Sequence, residues 1–181
     1  MTSFEQIFID SALSQGADAA ASIDVSDISF DPSFRKACEQ NFCGHYGKCW
    51  TCPPHVGEVD SLIARVQGYR RAIVMQTVSE LEDSYDFEGM EEAGAKHTAL
   101  SAMLFDELLT HLQGPALRLG VGACTLCQPC AITEDRPCRF PDRAIASLEA
   151  HCISVSKLAG KSGMKYINGE NTVTYFSLFL Y

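Results

Sequence analysis

Phe4, Ile7, Phe8 and Ala12 recur at helical spacing, behind a Ser3 that stands three positions ahead of Gln6 as in a capping box. With Gly16 as a stop, the pattern predicts a helix over 3–15. Residues 19–28 interleave Ile23, Val25 and Ile28 with polar positions, as a strand and its exit do. Val59, Leu62, Ile63 and Val66 fall at i, i+3, i+4 and i+7 ahead of Gly68, which predicts a short amphipathic helix over 58–67. Residues 72–78 read as a buried strand. Leu100, Met103, Leu104, Leu108 and Leu112 form the longest helical stripe, over 91–112, with Met103 as a core residue, and Gly114-Pro115 ends it. Beyond it the pattern predicts a short strand at 116–121 and a helix over at least part of 142–157. A closing strand at 173–180 follows the Asn168-Gly169 turn. Strands and helices alternate without a repeat. The expected fold is α/β, with α+β as its variant: a single domain over 1–181 in which helices cover a small mixed sheet.

The stretch 80–92 breaks this alternation with Glu80, Glu82, Asp83, Asp86, Glu88, Glu91 and Glu92. So much like charge reads first as a solvated loop, and more specifically as a docking face for a basic redox partner. The whole chain of 181 residues carries a formal charge of −9, which argues against nucleic acid, since such binding draws most of its affinity from cationic side chains on phosphates. No stretch approaches the roughly 20 apolar residues needed to span a bilayer, so no membrane partner is expected. Met1-Thr2-Ser3-Phe4-Glu5-Gln6 opens without a cationic region ahead of an apolar block, so no secretory signal is visible and the expected compartment is the cytoplasm. There thiols stay reduced, and clustered cysteines bind metal more often than they form disulfides.

The chain has nine cysteines, and eight of them fall into two sets. Cys38, Cys43, Cys49 and Cys52 are spaced C-x4-C-x5-C-x2-C and run into Pro53-Pro54. Cys124, Cys127, Cys130 and Cys138 are spaced C-x2-C-x2-C-x7-C. Four thiolates brought together repel one another unless a strongly bound cation or cluster offsets the charge, so two sets of four suggest two metal centres. Structural zinc usually takes two C-x2-C knuckles a dozen or more residues apart. The run Cys124, Cys127, Cys130 is instead the arrangement of bacterial ferredoxins, in which consecutive turns place three sulfurs on three corners of a cubane. Iron and sulfide fit better than zinc. Cys138, at x7 and ahead of Arg139, departs from the ferredoxin spacing, so each set can complete its own [4Fe–4S] cluster without cross-ligation.

The residues between the thiols suit a tight wrap. Gly44, Gly47 and Gly57 let backbone amides approach sulfur, and Trp50 and Tyr46 are either an apolar wall for the centre or ordinary core aromatics. Arg136, Arg139 and Arg143 surround Cys138 and either offset thiolate charge or hold an anionic substrate. His45 could ligate iron, donate to a sulfur or shuttle a proton, with ligation the least favoured; His55 and His151 are weaker versions of the same case. Cys152 falls with Ile145 and Leu148 on one helical face and reads as a buried structural thiol. No phosphate-binding loop of the P-loop or dinucleotide type is present.

The stretches Cys38 to Gly57, with Tyr46-Gly47-Lys48 and Trp50-Thr51-Cys52-Pro53-Pro54, and Gly122 to Pro141, with Pro137-Cys138-Arg139-Phe140-Pro141, resemble a known family. So does the ending Asn168-Gly169-Glu170-Asn171-Thr172-Val173. The family is that of the predicted metal-binding proteins grouped as domain of unknown function 2284. The resemblance covers nearly the whole chain and implies a metal or iron–sulfur role for the eight cysteines, without a settled reaction. The leading expectation is a protein with two [4Fe–4S] clusters, held by those eight residues, that passes electrons to a redox partner protein. The rivals are an enzyme with one open iron, a small-molecule reductase or a desulfurising enzyme, and a zinc-stabilised interaction module.

Overall fold

The first helix, α1 (Phe4–Ser14), begins where Ser3 Oγ accepts the Gln6 N–H at 3.2 Å. The Gln6 side chain does not return to the cap but reaches Asp10, so only half of the capping box forms. The structure is a computed structural model that describes residues 3–181; Met1 and Thr2, part of the stretch inspected for a secretory signal, lie outside it. The elements that follow are β1 (Ala19–Asp24), α2 (Ser33–Glu39), α3 (Val59–Gln67), β2 (Arg71–Glu80), α4 (Phe87–His111), β3 (Leu117–Leu119), α5 (Val155–Lys161) and β4 (Thr172–Leu180). The fold is mixed α/β, as expected. Its four strands lie in the order β1-β2-β4-β3 and every strand pair is antiparallel. The parallel contact is the isolated bridge between Gly120 and Ser147.

The central strands are covered on both faces, which is why they read as continuous apolar runs rather than alternating ones. Ala72 and Val74 of β2, with Phe176, Leu178 and Leu180 of β4, pack against α3, α5 and the buried Leu148 and Ile153. Ile73, Met75 and Phe179 face the other way, onto Phe8 and Ala12 of α1 and Leu104 and Leu108 of α4. At the open end of β2, Arg71 holds both carboxylate oxygens of Glu5 and one of Asp24, tying α1 and β1 to the sheet.

Several boundaries differ from the pattern-based reading. The strand at 19–28 stops at Asp24, because Val25–Asp27 turns as a 3-10 helix that still buries Val25. The long helix starts at Phe87, inside the acidic stretch and four positions ahead of the expected 91, because Asp86 caps it by accepting the Gly89 N–H at 2.8 Å. Met103 is 49% exposed and belongs to the outer face of α4. Over 142–157 there is no α-helix before Val155. Extended backbone here is tied to Gly120, whose N–H donates to Ala146 and whose carbonyl accepts from Leu148. Cys152 is buried, as expected, but it sits in a left-handed conformation after a 3-10 turn and not on a helical face. The helix α2, with no buried residue, is absent from the pattern-based reading for want of an apolar stripe.

Phe179 is fully buried between the rings of Phe8 at 5.6 Å and Phe105 at 6.4 Å, whereas Phe42 is 90% exposed. Phe179→Ala should cost about 3–5 kcal/mol in urea unfolding, and Phe42→Ala less than about 0.5 kcal/mol. Equal costs would contradict this placement of the core.

Candidate metal centre

Both cysteine segments are excursions from this frame. The first leaves α2, which carries Arg35 and Cys38, and returns at Gly57, just ahead of α3. Arg35 Nη2 donates to the Gly57 carbonyl at 2.8 Å and so closes its base. Inside, the chain folds back on itself by short turns: Gly44 N–H to Asn41 O, Gly47 N–H to Pro53 O at 2.9 Å, and Cys52 N–H to Cys49 O. Gly47 has a φ of +70°, a conformation that a residue with a Cβ resists. The wrap leaves Cys43 exposed, Cys38 and Cys52 half-buried and Cys49 buried. The Cys52 thiol donates to Cys49, which pushes the Cys49 thiol down and Cys52 up. Negative charge at Cys43 and Cys38 also bears on Cys52, so the four sulfurs form one electrostatic group.

The second excursion is pinned at Gly120, whose hydrogen bonds to Ala146 and Leu148 fasten both of its ends. A Cβ at Gly120 would stand 2.8 Å from the tip of the Ile145 side chain, which packs over this base. Arg139 braces the interior, donating to the Pro129 carbonyl at 2.9 Å and pairing with Glu134 at 3.2 Å. Its guanidinium therefore stabilises the loop, and Arg136, largely exposed, also leans toward Glu134. Cys124, Cys127, Cys130 and Cys138 line one small recess, with Leu126, Phe140 and Ala144 on its apolar wall.

The two excursions meet. Trp50 Nε1 donates to the Arg136 carbonyl at 3.0 Å, and the Cys124 N–H donates to Thr51 Oγ1 at 3.3 Å. Cys49 Sγ lies 3.3 Å from Thr51 Oγ1 and 4.0 Å from the Cys124 carbonyl, and Cys49, Trp50 and Thr51 all line the recess of the other set. Trp50 is thus a wall of the second recess, a role the spacing alone assigned to the first.

Among the described residues, no three Cys, His, Asp or Glu side chains converge closely enough to hold a single ion. Four sulfurs about 2.3 Å from one zinc must lie within about 4 Å of one another. The four thiols of the second set, with Cys49, line the wall of a recess. Burial raises the Cys38 and Cys124 thiols above their ordinary range, a penalty on the thiolates that a bound cation would lift. Beside Cys38, Arg35 Nε is buried and has no hydrogen-bond partner.

His45 and His55 are exposed, and His55 rests against the Trp50 ring at 5.5 Å. His151 is buried, and desolvation pulls its pKa down to about 4, so it is neutral near pH 7. Three contributors escaped the sequence reading. Thr51 links the two segments, and Arg35 closes the base of the first. His97, on the buried face of α4 and held by Thr77 Oγ1 and Ser177 Oγ of the sheet at 2.8 Å each, is a neutral core histidine. A hydroxyl between two ligand-spaced cysteines was the one signal that could have drawn attention to Thr51.

Trp50 is the only tryptophan and lines the second recess, so its emission reports on that recess. Loading the protein with metal should quench it, and a strong chelator under anaerobic conditions should restore it; emission indifferent to metal content would remove the recess as a binding place.

No described helix is long and apolar enough to cross a membrane. No curated protein and no solved structure matches the chain. The family described as predicted metal-binding protein (DUF2284) matches residues 21–181, which hold both cysteine sets and all of the sheet except the first two residues of β1. The chain belongs to this family of predicted metal-binding proteins.

Proposed function

We propose that the protein holds two [4Fe–4S] clusters, one in each cysteine segment, and passes single electrons to a redox partner protein. The observation that carries this reading is the recess lined by Cys124, Cys127, Cys130 and Cys138 together, three of them in the order that suits three corners of a cubane. Sets made only of thiols favour zinc or iron–sulfur groups over harder metals. The unpaired Nε of Arg35 offers a donor and a positive charge beside Cys38, which suits a negatively charged group.

Bound there, the clusters would supply one-electron chemistry. The chain's part is to hold and tune them. Cys38, Cys43, Cys49 and Cys52 ligate in the first segment, and Cys124, Cys127, Cys130 and Cys138 in the second. Leu126, Phe140 and Ala144 limit water at the second recess, which keeps electrostatic interactions there strong. The exposed Cys43 brings the first segment to the surface, where a partner can approach. The acidic stretch 81–92 would meet basic side chains on that partner, giving an association weakened by salt.

Paramagnetic resonance of the anaerobically reduced protein tests the assignment. Wild type should show two reducible centres, with Cys52→Ser altering the signal of one and Cys130→Ser that of the other. A protein silent to reductant, or spectra unchanged in both variants, would contradict the proposal.

A further inference from the structure

Thr51 is one of the residues through which the two cysteine segments share a hydrogen bond. Its side chain is buried, at 8% exposure, so water does not compete for the hydroxyl. Two groups stand 3.3 Å from Oγ1: the N–H of Cys124, from the second segment, and Sγ of Cys49, from the first. A backbone N–H can only donate, so Oγ1 accepts from Cys124. The hydroxyl has one proton, and the sulfur of a metal-ligating cysteine has none. The Thr51 O–H is therefore left to donate to Cys49. One residue earlier, the Trp50 indole fixes the same backbone to the Arg136 carbonyl, two positions from Cys138. Cys49 faces the recess of the second set while it pairs with Cys52 of its own.

We propose that Thr51 is a positioning residue that couples the two metal centres: its hydroxyl donates to the Cys49 thiolate, and the backbone of Cys124 aims it. The inference rests on the iron–sulfur reading above. A hydrogen bond to a ligating sulfur draws off negative charge and favours the reduced state of that centre. Because the donor is aimed by the second segment, the electron affinity of the centre bound by Cys49 follows how the chain is folded around the other. The coupling needs no movement of the sheet or helices, only a change in the position of the Cys124 amide.

The test is a redox titration of the anaerobic holoprotein, followed by paramagnetic resonance, in wild type, Thr51→Val and Thr51→Ser, with iron and sulfide assayed in each. Thr51→Val keeps the shape and removes the hydroxyl. It should make reduction of one centre about tenfold less favourable, which is about 59 mV for one electron. Thr51→Ser, which keeps the hydroxyl, should stay near wild type. Perturbing the second centre through Cys127→Ser should shift the potential of the first, and should shift it less when Thr51 is Val. Wild-type potentials in a fully loaded Thr51→Val protein would overturn the proposal. A wild-type protein without iron would instead defeat the cluster reading itself. Amide exchange at Cys124 applies whatever the iron content of the variant: it should quicken in Thr51→Val and not in Thr51→Ser, and unchanged exchange would overturn the bridge.

Discussion

Thiolates gathered into a small volume repel one another, and the two segments that carry them have almost no apolar interior of their own. Something other than a hydrophobic core has to hold these segments in place. Part of the answer is the set of hydrogen bonds at their bases and at their mutual contact: Arg35 to Gly57, Gly120 to Ala146 and Leu148, Trp50 to Arg136, and Cys124 to Thr51. The rest is the metal for which the family is described. Metal binding of this kind contributes directly to the folding free energy of the ligand loops.

The sheet serves as the fixed reference for both excursions. Its two-sided core leaves β2 and β4 with no exposed face at their centre, so the strand ends cannot shift without uncovering apolar surface. β3 ends at Leu119, and the Gly120 hydrogen bonds to Ala146 and Leu148 tie the returning chain beside it, four residues ahead of Cys124. On the other side, α2 contacts the turn around Glu149–His151, so Cys38 is placed relative to the same returning chain. One stretch, residues 146–153, thus locates both cysteine segments. Neither segment is free to drift from the other.

The parts legible in the sequence were those with a period. The stripes of α1, α3 and α4 and the apolar runs of β2 and β4 announced themselves, as did the cysteine spacing. What escaped notice was set by tertiary contacts. Residues 142–148 have a helical distribution of apolar side chains, yet their backbone is claimed by Gly120. Cys152 is buried for a reason unrelated to helix periodicity, since a left-handed turn points it inward. Asp86 lay inside a run of charge that masked its role as a cap. The meeting of the two cysteine segments rests on Trp50, Thr51 and two backbone groups 86 and 73 positions away, a pairing that local pattern does not encode.

The most direct measurement is the iron, labile sulfide and zinc content of the full-length protein isolated without oxygen. The account predicts about eight iron and eight sulfide per chain, with broad visible absorption that bleaches on reduction. A colourless protein holding about one or two zinc ions and no iron would contradict it.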